Sequence, residues 1–168
     1  HLATEAMLKE SGVPFALLRN GWYLENCTDQ LQGTLAQGAL AGSAGEGKVS
    51  AAARADYAEA AAAVLVAGNQ AGKVYELGGD HAFTLTELAR EISTAANKPV
   101  AYQDLPASDY AGLLAGFGVP QPFADILADS DLGIARGDLL VSGSDLRTLI
   151  GRPTTPMSAA VRSAVAGV

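Results

Sequence analysis

The hydrophobic residues in the first half of the chain change repeatedly between helical spacing and short uninterrupted runs. Apolar positions follow one face of a helix over residues 2–11, and the run Phe15–Leu18 that comes next predicts a buried strand at about 14–19. The same change of spacing predicts further strands at about 48–53, 74–77 and 100–102, and helices at about 29–38, 56–67 and 84–96. Strands that alternate with helices favour an α/β fold with a parallel sheet and crossover helices.

From Pro106 onward, the hydrophobic spacing is helical only. It predicts helices at about 107–117, 121–135 and 143–150, and a last one in which Thr155 caps and Pro156 takes the first turn. No internal repeat or low-complexity linker separates the two halves. We therefore expect a helix-rich C-terminal part attached to an α/β N-terminal part.

Local signals mark several helix ends. The spacings Asp56-x-x-Glu59 and Thr84-x-x-Glu87 match the capping box, in which the first and fourth residues satisfy each other's backbone N–H groups. Gly38 stands where a helix ends in a left-handed residue. These signals predict helix starts near residues 56 and 84.

The chain begins inside a predicted helix. Its first residue is His1 rather than Met, and the amphipathic pattern is already under way at Leu2. Glu5 and Lys9 are spaced as an i,i+4 ion pair, and Gly12 stands where this helix ends. The start does not resemble a signal peptide. We expect these residues to be a fragment of a longer protein.

The composition argues against several classes of function. The 168 residues carry 11 Lys and Arg against 18 Asp and Glu, so the net charge of −7 lacks the basic surface of a nucleic-acid binder. Apolar stretches such as Ala58–Ala67 are shorter than the roughly 20 residues that span a bilayer. The single cysteine, Cys27, forms no internal disulfide, and no Cys/His cluster has metal-site spacing. We expect a reduced, cytoplasmic protein with no metal, no membrane span and no nucleic-acid partner.

The residues after the first predicted strand have the chemistry of a ligand site. Asn20 offers a donor and an acceptor suited to a carboxamide, and Gly21 permits close approach to the backbone. Trp22 and Tyr23 offer flat apolar walls, although both residues would equally serve to bridge two lobes. In a doubly wound sheet, ligands collect outside the carboxyl ends of strands, where this motif is predicted to lie.

Several other polar residues have a structural interpretation. We expect Glu25 and Asn26 to cap the following helix, with orientation of the strand-end loop as the alternative. Asp56 is interpreted as a cap rather than a catalytic carboxylate. For Arg54 the sequence leaves two roles open: it reaches into the active cleft, or it pairs with a nearby acid. His81 is expected in an exposed loop.

Three further features carry weaker signals. Cys27 is expected to be a small buried residue, with a reactive thiol as the alternative. The segment 42–47 contains three glycines, but no strong strand precedes it and no helix follows, so we interpret it as a loop or hairpin and not as a dinucleotide fingerprint. Phe117 and Phe123, beside Pro120 and Pro122, either rim a substrate pocket or, as we prefer, pack between helices.

A set of motifs in order resembles the NmrA-like atypical short-chain dehydrogenases/reductases. The motifs are Leu17-Leu18-Arg19-Asn20-Gly21-Trp22-Tyr23-x-Glu25-Asn26, Gly45-x-Gly47-Lys48, Arg54-Ala55-Asp56-Tyr57-Ala58, Gly72-Lys73-Val74-Tyr75-Glu76-Leu77, Leu127-Ala128-Asp129-Ser130-Asp131 and Ile150-Gly151-Arg152-Pro153-Thr154-Thr155. The resemblance covers essentially the whole chain. Within this group the chain is most similar to the type 2 bacterial NAD(P)H:quinone oxidoreductases.

The resemblance implies the C-terminal portion of an NAD(P)-binding Rossmann fold and a small helix-rich substrate lobe. Residues 1–78 would be the remainder of the Rossmann-type domain, with an inserted segment at about 21–47, and residues 79–168 the mainly helical lobe. The phosphate-binding loop of such a fold belongs to its first strand-helix turn. None occurs here at that place, so we expect these residues alone to bind NADPH poorly and to be inactive.

The resemblance also implies functional residues. They are Asn20, Gly21 and His1 for NADPH or NADH, and Trp22, Tyr23 and Phe117 for the quinone. His1 takes the place of the lysine that classical members pair with a catalytic tyrosine, and the tyrosine position precedes the chain. No general acid is therefore assigned.

The implied function is NAD(P)H-dependent reduction of a small-molecule quinone by direct hydride transfer, without flavin or metal. Such chemistry requires mainly position and orientation from the protein. One alternative is a non-catalytic NmrA-like protein that senses NAD(P), and another is a stand-alone helical adaptor. Assembly as a homodimer is left open.

Overall fold

A computed structural model describes residues 1–168 as an α/β fold. Its six strands are β1 (Leu17–Asn20), β2 (Ala39–Gly42), β3 (Lys48–Val49), β4 (Val74–Leu77), β5 (Phe83–Thr84) and β6 (Ala101–Asp104). Its nine helices are α1 (Leu2–Glu10), α2 (Leu24–Thr28), α3 (Leu31–Gln37), α4 (Arg54–Val66), α5 (Leu85–Ala96), α6 (Ala107–Gly116), α7 (Gln121–Arg136), α8 (Asp145–Ile150) and α9 (Met157–Ala166). Only helices follow β6, as the hydrophobic spacing predicts.

Strands β1 and β4 form a parallel pair that ends in the predicted ligand motif. Asn20 lies beside Leu77 at the carboxyl end of the pair. Just beyond this end, residues 50–52 lie between the two continuing chains, hydrogen-bonded to Trp22 on one side and to Gly79 on the other. The motif therefore rests on backbone from three separate parts of the chain.

The remaining strands form two smaller sheets. β2 and β6 are parallel, whereas β3 and β5 are antiparallel. The predicted strand at 48–53 is shorter than expected, because the chain leaves β3 at Ser50 to join the β1 and β4 ends. Since β2 and β3 pair with different strands, residues 43–47 form a connecting loop and not a hairpin.

Two local predictions of helix ends are confirmed. Thr84 Oγ1 accepts a hydrogen bond from Glu87 N at 3.1 Å, and the Glu87 carboxylate accepts one from Thr84 N at 2.8 Å, which completes the capping box of α5. α3 ends at Gly38, whose φ of +67° is the left-handed conformation that glycine adopts without strain. These ends were predictable because both partners lie within one helical turn.

The capping box predicted at Asp56 and Glu59 is wrong. α4 begins at Arg54, and its N-cap residue Ala53 provides no side chain for the task. The Glu25 carboxylate instead accepts a hydrogen bond from Arg54 N, at 3.0 Å for each oxygen. Glu25 thus caps a helix, as expected, but it caps α4 and not the helix that follows it.

Asp56 and Thr155 bind each other instead of capping helices. Asp56 is fully buried, and its carboxylate accepts hydrogen bonds from Thr155 N (2.7 Å), Thr155 Oγ1 (3.1 Å) and Arg152 Nη2 (2.8 Å). The cap predicted for Thr155 is therefore wrong, and Pro156 occupies the N-cap position of α9. We call this group of three side chains the Asp56 latch, because it fastens the C-terminal segment to α4.

The predicted ion pair between Glu5 and Lys9 is also wrong. Glu5 pairs with Arg19 of β1, at 2.6 Å. Arg19 pairs with Glu76 of β4 as well, and its hydrogen bonds to the two carboxylates raise the pKa of the guanidinium. α1 is thereby held against the strand that ends in Asn20.

The C-terminal helices pack back onto the N-terminal half. Val161 of α9 is buried in the largest apolar cluster together with Leu88 of α5, and Leu146 of α8 is buried against Tyr57 and Leu77. None of the helices is both long and apolar enough to cross a membrane. The division of the chain near residue 78 stays a prediction.

Candidate functional site

The end of β1 is shaped by close contacts around Asn20 and Gly21. Asn20 is exposed, and its side-chain nitrogen donates a hydrogen bond to the Tyr23 hydroxyl at 3.2 Å. Its amide oxygen accepts no hydrogen bond within the protein. Gly21 N donates to Leu77 O at 2.9 Å. A Cβ at residue 21 would lie 3.0 Å from Leu77 O and 3.3 Å from the Tyr57 hydroxyl, which leaves little room for any other residue.

The two aromatic residues that follow lie in different surroundings. Trp22 packs against the largest apolar cluster, and its carbonyl accepts a hydrogen bond from the Tyr57 hydroxyl at 3.2 Å. Tyr23 makes an edge-on contact with Tyr57, with ring centroids 5.1 Å apart, and the Arg54 guanidinium lies 5.3 Å from the centre of the Tyr23 ring. The structure therefore does not bring Trp22 and Tyr23 together as one wall.

Trp22 lines a cavity of about 420 Å³ between α2, β2, α5 and α7, here called the Trp22 cavity. Its lining residues are Trp22, Asn26, Cys27, Asp29, Gln30, Leu40, Ala41, Val49, Leu85, Leu88, Tyr110, Phe123, Ile126, Leu127, Ser130, Asp131 and Ile134. Twelve of these 17 residues are hydrophobic. The cavity thus suits a flat apolar molecule with a few polar atoms.

Asp131 of α7 is one of the two carboxylates that line this cavity, together with Asp29. Its Oδ2 accepts a hydrogen bond from Ser43 N at 2.7 Å, and its Oδ1 has no partner within the protein. Burial raises the pKa of Asp131 to about 6, and the nearby Asp104 carboxylate adds to the rise, whereas the Ser43 N–H opposes it. Asp131 therefore exchanges its proton near neutral pH.

The loop between β2 and β3 holds Asp131 in place through its backbone. Consecutive N–H groups of this loop donate to Asp131 from Ser43, to the Tyr102 hydroxyl from Ala44 (2.9 Å) and to Asp104 from Gly45 (2.9 Å). The preceding residue, Gly42, makes room for the carboxylate, since a Cβ there would lie 2.8 Å from Asp131 Oδ2. The glycine-rich segment therefore serves a carboxylate and carries no dinucleotide fingerprint.

Two other polar side chains in the Trp22 cavity remain uncharged. Burial raises the pKa of the Cys27 thiol to about 12, with smaller contributions from Asp131 and Glu25. Burial likewise raises the pKa of the Tyr110 hydroxyl to about 12. Cys27 is therefore a protonated thiol at neutral pH, which is unfavourable for a nucleophile.

Phe117 and the two histidines lie away from the Trp22 cavity. Phe117 is 61% exposed and lines a neighbouring cavity of about 450 Å³, which shares Tyr110 and Phe123 with the first. His1 is exposed at the start of α1 and lines neither of these two cavities. His81 is exposed in the loop before β5, as predicted.

Sequence reasoning did not assign a role to Asp131. The segment 127–131 was only one of the motifs that support the family resemblance. A signal was nevertheless present, because Leu127, Ala128 and Ile134 lie on the inward face of α7 and Asp131 falls on the same stripe. An acid at an inward position of an amphipathic helix indicates either a buried partner or a functional group.

Comparison with known proteins places the fold among NAD(P)-binding proteins. No protein-family model matches the chain. The crystal structure of NADPH-dependent quinone oxidoreductase 2 from Escherichia coli, complexed with NADPH, superimposes with a TM-score of 0.94 at 47% identity, and covers 97% of this chain and 58% of that one. Triphenylmethane reductase of Citrobacter sp., complexed with NADP(H), has a TM-score of 0.90 at 33% identity, over 98% of this chain and 57% of that one. The chain therefore has the Rossmann-like α/β fold of these NAD(P)-binding proteins.

Sequence comparison gives the particular relative. Quinone oxidoreductase 2 of Escherichia coli (strain K12) is 47% identical over 161 residues, which are 96% of this chain and 56% of that protein. NmrA, a negative transcriptional regulator, shares only the fold, with a TM-score of 0.56 at 11% identity. These findings confirm the resemblance to the NmrA-like atypical short-chain dehydrogenases/reductases, and the chain is homologous to quinone oxidoreductase 2. It spans little more than half the length of the relatives that it matches.

Proposed function

We propose that the protein reduces quinones by direct transfer of hydride from NAD(P)H, without flavin or metal. One observation carries the proposal: Trp22 follows directly on the Asn20-Gly21 strand end and lines an apolar cavity large enough for a quinone ring. The homology to quinone oxidoreductase 2 supports it. The strand end and the cavity would thus hold the two reactants next to each other, as direct hydride transfer requires.

The strand end fits the carboxamide of a nicotinamide. The exposed Asn20 has an amide oxygen with no partner in the protein, and its orientation is fixed by the hydrogen bond to Tyr23. Gly21 has no side chain to block a ring from the backbone. NAD(P)H supplies the hydride when it is bound, while Asn20 and Gly21 orient its nicotinamide end and His1 contacts its ribose.

The Trp22 cavity fits the acceptor. Trp22 provides an indole face for a quinone ring, and most of the surrounding side chains are hydrophobic. Tyr23 contributes indirectly by holding Asn20, and Phe117 contributes only to the neighbouring cavity. In this proposal the chain supplies position, orientation and a water-poor environment.

The proposal is tested by NADPH oxidation in the full-length protein, with and without 1,4-benzoquinone. We expect quinone-dependent oxidation. Trp22→Ala should raise the KM for benzoquinone about 10-fold, the effect of losing roughly 1.4 kcal/mol of binding, and leave the KM for NADPH unchanged. Tyr23→Phe, which frees Asn20, is the matched variant and should raise the KM for NADPH instead. NADPH binding without quinone-dependent oxidation would contradict the proposal and favour a sensor.

A cytoplasmic location and assembly as a homodimer belong to the same proposal. Neither follows from the geometry of the site. Size-exclusion chromatography with light scattering on the full-length protein measures the assembly, and a mass of one subunit would contradict the homodimer.

A further inference from the structure

We infer that Asp131 is the proton donor to the reduced acceptor in the Trp22 cavity. The inference rests on the proposed quinone reduction and adds the general acid that the sequence does not assign. Three features of the structure carry it: the open oxygen of the carboxyl group, the absence of a cation beside it, and its place on the wall of the cavity.

The carboxyl group has one bound oxygen and one open oxygen. Oδ2 is held by Ser43 N at 2.7 Å, which fixes the plane of the group against the loop between β2 and β3. Oδ1 makes no hydrogen bond within the protein and keeps some accessible surface, because the only buried side-chain polar atom without a partner is Ser43 Oγ, and Asp131 lines the cavity. A proton on Oδ1 is therefore available to a molecule in the cavity.

The groups around Asp131 favour its protonated form. No Lys or Arg forms an ion pair with it. From β6, Asp104 adds negative charge, and the Tyr102 hydroxyl donates to Asp104 at 2.8 Å rather than to Asp131. Tyr110 of α6 and Cys27 of α2 face it as neutral groups, and Asp29 lines the same cavity. Burial and Asp104 together raise the pKa of Asp131 to about 6.

An acid is needed because hydride transfer leaves a charge in an apolar place. Hydride adds two electrons and one hydrogen to the quinone, and one quinone oxygen then carries negative charge. The Asp131 O–H bond breaks, its proton goes to that oxygen, and the neutral hydroquinone leaves. The carboxylate takes a new proton from water, so that quinone, NAD(P)H and one proton give hydroquinone and NAD(P)⁺. Apolar walls make the unneutralised oxyanion costly, which gives the acid its role.

The test is the dependence of kcat on pH, from 5 to 9, for the full-length protein with 1,4-benzoquinone. The wild type should lose activity as the pH rises above about 6, where Asp131 releases its proton. Asp131→Asn keeps an acceptor for Ser43 N but has no proton to give. It should lower kcat at pH 6 by about 100-fold, the lower end of general-acid effects, and remove the pH dependence.

Asp104→Asn is the matched control. Asp104 accepts a hydrogen bond from the same loop but does not line the Trp22 cavity. This variant should keep a pH-dependent kcat but shift the fall in kcat to lower pH, since it removes a negative charge beside Asp131. Asp131→Glu should keep a pH-dependent kcat, which decides the question if Asp131→Asn does not fold.

The outcomes separate the inference from the proposed function. A wild type without quinone-dependent NADPH oxidation overturns the proposed function itself. If the wild type is active and Asp131→Asn retains the same fall of kcat with pH, the inference is wrong, whether or not kcat is lower overall. A lower kcat with an unchanged pH profile would show that Asp131 only positions the loop.

Discussion

Two aspartates on the inward faces of helices show how differently one fold treats the same side chain. Asp56 of α4 is completely buried, yet it has a guanidinium partner and two donors from Thr155. Asp131 of α7 is partly buried, has a single backbone donor and lies near a second carboxylate. Asp56 therefore has a structural role in the Asp56 latch, whereas burial and the Asp104 carboxylate raise the pKa of Asp131 to about 6.

The difference shows that depth of burial alone does not decide what a carboxylate does. A buried charge is tolerated when hydrogen bonds and an opposite charge replace water, and otherwise the neutral form is favoured. The hydrogen-bond donors that replace water around Asp56 come from a segment almost 100 residues away along the chain. Asp131 has one such donor, Ser43 N, but no opposite charge beside it, and it borders a cavity.

The largest expected effect comes from breaking the Asp56 latch. Asp56→Ala should lower the free energy of unfolding by about 3–5 kcal/mol, because the fully buried carboxylate accepts two hydrogen bonds from Thr155, each worth about 1.5–3 kcal/mol to a charged acceptor. Urea unfolding of the full-length protein, followed by circular dichroism, measures it. Glu59→Ala removes the half-exposed second partner of Arg152 and should cost under about 1 kcal/mol. Equal losses for the two variants would show that the latch is not a special contact.

A smaller change in the free energy of unfolding, of opposite sign, is expected when Asp131 is replaced. Its pKa in the folded protein, about 6, lies above the value of 3.8 that applies when it is unperturbed, so its contribution to stability is present below about pH 4 and is lost as the pH rises through 6. Asp131→Asn should therefore stabilise the protein at pH 8, by about 3 kcal/mol, and change its stability little at pH 4. Urea unfolding at both pH values measures this, and a difference that does not change with pH would contradict the raised pKa.

The smallest effect is expected at Cys27, which shares the cavity with Asp131 but takes no part in the chemistry. With its pKa at about 12, the thiol should react with iodoacetamide at pH 7.5 roughly 1000-fold more slowly than an ordinary cysteine. Mass spectrometry of the full-length protein measures the labelling, and the urea-unfolded protein is the control. Cys27→Ala should leave kcat for benzoquinone within about twofold. Fast labelling of the folded protein would instead favour the reactive thiol.

Much of the fold follows from signals that act over a few residues. The capping box of Thr84 and Glu87, the left-handed Gly38 and the change to purely helical spacing after Pro106 were all visible in the sequence. The strand that ends at Asn20, just before Gly21 and Trp22, was visible in the sequence as well. In each case the interacting groups are neighbours along the chain, so the local pattern contains the whole interaction.

What tertiary structure alone decided are the contacts between distant segments. Asp56 has the right spacing for a cap, but in the folded chain its carboxylate binds Arg152 and Thr155. The Glu25 carboxylate caps α4 instead. Trp22 and Tyr23 are adjacent in sequence and lie against different clusters. The pKa of Asp131 is raised because the folded chain buries this side chain and places Asp104 near it, while Ser43 N, 88 positions away, binds one of its oxygens. Hydrogen-bond partners and local electrostatics are set by which segments meet, and no local pattern encodes that meeting.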